Sequence, residues 1–148
     1  MTAPTAPIHI AETDRDILRC VPVLLELRPH VAPENFVAAI RRLQIGGYLL
    51  AMLETGDGVA AVAGYRFSEN LARGKFLYVD DFVTHSRLRF QGHGQKLFAW
   101  LVKMATLSGC HELHLDSGVQ REGAHRFYEQ QKMIFASRHY SLKLQPAC

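Results

Sequence analysis

The residues best placed to do chemistry lie in Val83-Thr84-His85-Ser86-Arg87-Leu88-Arg89-Phe90-Gln91-Gly92-His93-Gly94-Gln95, where two glycines stand between a strand pattern and the first turn of an amphipathic helix. Backbone N–H groups at a helix N-terminus, with the positive end of its dipole, stabilise phosphate, and glycines let phosphate oxygens approach closely. A dinucleotide fingerprint would need a third glycine where Leu97 stands, and no Gly-Lys-Ser or Gly-Lys-Thr of a P-loop is present. On these residues alone the alternative is a tight turn with no ligand.

Other polar groups suggest less. His111-Glu112-Leu113-His114 lacks the second histidine that a zinc helix motif would place at Leu115, and strand positions three apart face opposite sides, so no metal site is expected. Cys110 beside His111 suggests a nucleophile pair, but adjacent strand residues diverge, and a small buried cysteine is the expected state. His85, His93 and His125 lie near the glycine segment or the last helix, and their side chains are assigned no role.

The elements that position these residues follow from spacing. A strand near Ile8 to Glu12 precedes Thr13, which can cap a helix carrying Asp14 and Asp16 in its first turn and Ile17, Leu18, Val21, Leu24 and Leu25 at helical spacing. Pro22 is expected to kink or split that helix. Pro33 opens a second helix with Phe36, Ile40 and Leu43 on one face, stopped by Gly46-Gly47. Strands from Tyr48 to Glu54 and Val59 to Phe67 flank a Thr55-Gly56-Asp57-Gly58 turn, and a third runs from Lys75 to Thr84. The helix after Gly92 and Gly94 carries Leu97, Leu101 and Met104 and reaches about Ser108. A short strand from Glu112 to Asp116, a helix from Arg121 to Gln131 and a strand from Ile134 to Leu144 complete the chain. This order implies an α/β (α+β) mixed sheet flanked by about four helices.

With 148 residues, 48% hydrophobic and 21% charged, the chain fits one domain over 1–148, with a frayed start over 1–7. Its net charge of +3 comes without a basic stripe interleaved with aromatics, so nucleic acid is not indicated. Met1 to Pro7 has no basic and apolar signal regions, and no apolar run approaches the ~18 residues of a membrane span, so no membrane association is expected. Three scattered cysteines, Cys20, Cys110 and Cys148, suit a reducing compartment, and cytoplasmic placement is expected.

Asp80-Asp81-Phe82-Val83-Thr84, then Arg89-x-x-Gly92-x-Gly94 and a long apolar helix, resembles the cofactor-binding region of GNAT N-acetyltransferases. The likeness continues through Gly109-Cys110, the strand to Leu115, and Ala124-His125-Arg126-Phe127-Tyr128-Glu129. It implies a GNAT-like acyl-CoA N-acyltransferase fold that transfers acetyl from acetyl-CoA to a primary amine in a ternary complex. Within it, amides of Phe90, Gln91, Gly92, His93, Gly94 and Gln95, together with Arg89, would hold the diphosphate of coenzyme A, and Phe82, Val83 and Thr84 its pantetheine arm.

The segment is most similar to diamine acetyltransferases, which implies an acid at Asp80 and a tyrosine general acid at Tyr128. Alternation along a strand predicts that Asp80 and Asp81 face opposite sides of the sheet, and the acidic pair favours a cationic amine. The family also implies a homodimer. A non-catalytic acyl-CoA sensor is the alternative function. Departures are Arg121 in place of an asparagine, where it contacts a phosphate or is merely solvated, and Lys132-Met133 in place of glycine and phenylalanine.

Overall fold

The computed structural model describes residues 7–145. Of the expected frayed start, only Pro7 falls among them, and Cys148 lies outside them. The chain forms two compact units, the first ending at Leu115 and the second beginning at Asp116.

The first unit is built on β1 (Ile8–Ile10), β2 (Leu49–Thr55), β3 (Gly58–Asn70), β4 (Gly74–Thr84) and β5 (Glu112–Leu115), in the spatial order of the chain. All neighbours are antiparallel except β4 and β5, which run parallel because a helix crosses over between them. Helices α1 (Asp14–Leu27) and α2 (Phe36–Ile45) come between β1 and β2, and α3 (His93–Leu107) is the crossover. Alternation in the central strands feeds two cores. Leu50, Met52, Val62 and Val83 join Ile17, Cys20, Leu24, Phe36 and Ile40 on the α1 and α2 side. Ala51, Leu53, Ala61, Ala63, Leu77 and Val79 join Leu97, Leu101 and Ala105 of α3.

The expected strands and helices of this unit are present to within about three residues at their ends. Thr13 caps α1, its hydroxyl accepting the Asp16 N–H at 3.1 Å. Pro33 opens a single 3-10 turn, Pro33–Asn35, that leads into α2. Of the kink or split expected at Pro22, the split does not occur, since the helix runs unbroken from Asp14 to Leu27. Pro22 and Leu18 are exposed, so a carbonyl left without its donor can be hydrated, while buried Val21, Val23 and Leu24 hold the helix against the sheet.

In the second unit α4 (Glu122–Gln130) ends in a Schellman motif, with Lys132 N–H bonded to Glu129 O at 3.0 Å and Met133 N–H to Tyr128 O at 3.1 Å. Lys132 sits at φ +68°, the left-handed conformation that glycine adopts without a Cβ penalty. Lys132→Gly should therefore stabilise this helix end by about 0.5–1 kcal/mol, after the greater freedom of the unfolded glycine chain is offset. Slower hydrogen exchange at the Met133 amide would show it, and unchanged or faster exchange would contradict it. The strand expected from Ile134 to Leu144 is not formed: residues 133–144 take no helix or strand conformation. A strand needs a neighbour to bond with, and the sheet order contains none from this segment.

Candidate active site

β4 sets the site. Its pairing with β5 spans Phe76↔Glu112 to Val79↔Leu115 and goes no further, because β5 is only four residues long. From Asp81 to Thr84 β4 pairs with β3 alone, so no strand among the described residues lies along its other edge. The sequence-predicted Phe82, Val83 and Thr84 occupy this stretch. Phe82 packs edge-on against Phe98 of α3 at 6.2 Å, and Val83 is buried in the opposite core, which fixes the strand from both faces.

Beyond Thr84 the chain is held by α1. Both carboxylate oxygens of Glu26 accept the Ser86 N–H, at 3.1 and 3.2 Å, and His85 Nδ1 accepts the Arg87 N–H at 3.1 Å. Glu26 was not anticipated, since nothing local in the sequence joins it to a segment sixty residues away. After the short Ser86–Leu88 turn come exposed Arg89, Phe90, Gln91 and Gly92. Phe90 (φ +64°) and Gly92 (φ +83°) are both left-handed, and left-handed residues set among right-handed ones are the backbone from which anion-receiving nests are built.

The Gly92 position has no side-chain cap, and the first helical hydrogen bond of α3 is Lys96 N–H to Gly92 O at 3.1 Å. The amides of His93, Gly94 and Gln95 therefore precede the helical ladder, and none of them has an acceptor among the described residues. A Cβ at Gly92 would meet nothing within 4 Å, so this glycine answers to its backbone angle and not to crowding. The His93 ring is buried, and neither of its nitrogens has a hydrogen-bond partner among the described residues, an orphaned polar group at the same helix end.

Asp80 lies in a β-bulge. Gly64 pairs with Asp81 and Tyr65 with Val79, which leaves Asp80 unpaired in the register. The expectation that Asp80 and Asp81 face opposite sides of the sheet is thereby corrected, because the extra residue cancels the alternation and both carboxylates reach one polar cluster. Arg66 donates to Asp80 Oδ2 from Nε at 2.9 Å and from Nη2 at 2.8 Å. Asp81 accepts from Arg28 Nε at 2.9 Å and from the Tyr48 hydroxyl at 2.8 Å, and Arg28 Nη2 reaches the Asp80 carbonyl at 3.0 Å. Arg66 also lies over the Tyr48 ring, 5.7 Å from its centroid. Burial, and next the Asp81 charge, push the Tyr48 phenol far above the ordinary tyrosine range, so it serves as a proton-bearing donor. Two guanidinium groups balance the two carboxylates, which removes the basis for inferring a cationic acceptor from the acidic pair.

Sequence reasoning missed Arg28, Tyr48 and Arg66. One signal was available, since a glycine inside a buried strand marks close approach, and at Gly64 an added Cβ would sit 1.8 Å from the Tyr48 hydroxyl.

Tyr128 lies in the second unit, half-buried on α4, with its ring edge-on to Phe127 at 5.6 Å. Burial raises its pKa and the Arg121 charge partly opposes the rise. His125 Nε2 is 2.8 Å from Gly118 O, which braces the start of the same helix. Among the described residues no three His, Cys, Asp or Glu side chains converge, and no helix is long and apolar enough to cross a membrane.

An open strand edge running into a helix mouth whose amides have no acceptor among the described residues is an arrangement suited to an extended ligand that ends in phosphate. The pattern of the Acetyltransferase (GNAT) family matches residues 16–133, and the chain belongs to that family. It is 30% identical over 120 residues to the uncharacterized N-acetyltransferase YhdJ of Bacillus subtilis (strain 168), covering 80% of this chain and 84% of that protein. Among solved structures it is similar to a transcriptional regulator from Bacillus halodurans C-125, with TM-score 0.78, 27% identity and coverage of 94% and 98%. Glucosamine-6-phosphate N-acetyltransferase from Arabidopsis thaliana shares the fold, at TM-score 0.71, 22% identity and coverage of 94% and 99%. Family and fold together make the chain an acyltransferase whose chemistry is acetyl transfer.

Proposed function

We propose that this chain is an N-acetyltransferase that moves an acetyl group from acetyl-CoA to a primary amine, on a small molecule or a protein. The observation that carries the reading is the set of three unbonded amides, at His93, Gly94 and Gln95, behind the left-handed Gly92. They suit a diphosphate, with exposed Arg89 adding charge. The open edge of Phe82, Val83 and Thr84 suits an arm with amide groups that bonds as an added strand.

The thioester supplies an activated acetyl group when bound. An alkylamine near pKa ~10.4 is almost wholly protonated at neutral pH, so a base must take its proton. Asp80 takes it through a water on Oδ1, while Arg66 holds Oδ2 and keeps the carboxylate oriented. Tyr128, with its phenol held protonated by burial, gives a proton to the departing thiolate.

Saturating coenzyme A should raise the melting temperature by about 5–10 °C at a hundredfold excess over Kd, because a ligand of the native state stabilises it by about 2.7 kcal/mol. Gly92→Ala should weaken that binding roughly tenfold, since a left-handed alanine costs about 1–2 kcal/mol. No shift with coenzyme A would overturn the reading. Likeness to a transcriptional regulator supports a second one, an acyl-CoA sensor. A shift with coenzyme A but no thiol release on any member of an amine panel selects it.

A further inference from the structure

The polar groups that the Asp80 and Asp81 cluster leaves unused form a complementary set. Each Asp81 oxygen already accepts a hydrogen bond, Oδ1 from Arg28 and Oδ2 from Tyr48. Asp80 Oδ2 is taken by Arg66, and Asp80 Oδ1 has no donor among the described residues. Arg28 and Arg66 each engage Nε and Nη2, so Nη1 of each guanidinium has no acceptor among the described residues. The side chains of Arg28 and Arg66 are 42% and 30% exposed, against 16% and 26% for Asp81 and Asp80, so the guanidinium side of the cluster is the more open to a ligand. Both guanidinium groups meet at Asp80, Arg66 on its carboxylate and Arg28 on its main-chain carbonyl. Asp80 also stands immediately before the open edge of β4, which leads from Asp81 to Thr84 and on toward the amides of His93, Gly94 and Gln95. A cofactor with its diphosphate at those amides and its arm along that edge brings its thioester to the Asp80 end.

We propose that the acceptor is a free amino acid whose carboxylate lies within a carbon or two of its amine, with Asp80 Oδ1 serving the amine and Nη1 of Arg28 and of Arg66 binding the carboxylate. The inference rests on the acetyltransferase reading above and names its substrate class. One anionic oxygen and two cationic nitrogens are left over, and an amine alone would use only the first. A zwitterion with its two groups close together uses them all, through charge-assisted hydrogen bonds of the kind guanidinium makes best with carboxylate. Its zero net charge also matches a cluster in which two guanidinium groups balance two carboxylates. A diamine would instead bring a second cation against the guanidinium groups while both Asp81 oxygens are engaged. A lysine side chain within a protein carries its amine far from any carboxylate of its own. In the transfer the ammonium first gives a proton to Asp80 by way of the water. The nitrogen then bonds to the acetyl carbon as the carbon–sulfur bond breaks, and the products are an N-acetyl amino acid, coenzyme A thiol and one proton released to solvent.

The test uses the full chain, acetyl-CoA and the standard amino acids, each beside its own amide, with putrescine as the diamine. Thiol release should show a kcat/KM at least about tenfold higher for one or more amino acids than for the matching amide or for putrescine. The amide has the more easily deprotonated amine, so amine basicity alone predicts the opposite order. Arg28→Gln should lower the ratio of acid to amide to about threefold or less, while the melting shift with coenzyme A alone stays as in the parent chain. Should that variant not fold, the ratio in the parent chain decides by itself. Equal or faster turnover of the amides or of putrescine overturns the inference and leaves the acetyltransferase reading in place, as does an unchanged ratio in folded Arg28→Gln. Absence of the coenzyme A shift overturns the acetyltransferase reading itself, so the two failures are distinguishable.

Discussion

Tyr128→Phe is expected to lower kcat by about 10²–10⁴-fold while the melting shift produced by coenzyme A stays as in the parent chain. The reasoning begins with the leaving group. A thiolate expelled from a thioester is stabilised when a nearby acid protonates it, and phenylalanine keeps the ring of tyrosine while removing the hydroxyl that carries the proton. Burial raises the Tyr128 pKa, and Arg121 offsets part of that rise. The sign follows directly: a raised pKa keeps the phenol protonated to higher pH, so kcat of the parent chain should show no alkaline fall below pH ~10. Steady-state kinetics with a competent amine, measured for both proteins across pH, tests this. Full turnover in the phenylalanine variant would remove Tyr128 from the chemistry and leave it a packing residue. Loss of coenzyme A binding in that variant would instead assign it to binding.

The skeleton of this fold is legible because its punctuation is local. Thr13, Pro33, Gly46, Gly92 and Gly109 cap or stop helices through forces that act within a turn, and the structure places helix ends at or beside each. The backbone of the glycine loop was legible for the same reason, since a left-handed glycine ahead of a helix is set within a few consecutive residues. The polar cluster was not. Arg28, Tyr48, Arg66 and Asp81 come from four separate segments, and the bulge that turns Asp80 and Asp81 toward one cluster depends on how β3 registers with β4. Period-two alternation holds only where the ladder is regular, so an inference from alternation fails at the residue where the register slips. The segment after Met133 shows the converse. Its alternation is plain in the sequence, yet a strand is a property of two paired segments, and a pattern cannot supply the neighbour.

The cluster makes the largest stability prediction. Gly64→Ala would place a Cβ 1.8 Å from the Tyr48 hydroxyl and 2.3 Å from its Cζ, distances at which something must move. Tyr48 cannot yield cheaply. It is 2% exposed, and its hydroxyl donates to Asp81 at 2.8 Å beneath the Arg66 guanidinium. Overpacking alone costs about 1–3 kcal/mol. Withdrawing a donor from a half-buried carboxylate adds about 1.5–3 kcal/mol, so the variant should lose roughly 3–5 kcal/mol in denaturant unfolding. Tyr48→Val in the same chain empties the space the new methyl enters. The double variant should therefore lose less than the two single losses added together, a coupling of at least about 1 kcal/mol expected only of residues in contact. A Gly64→Ala protein within about 0.5 kcal/mol of the parent would show that Tyr48 has another place to go. In that case the cluster is not the fixed anchor for β4 and the site beside it that these hydrogen bonds indicate.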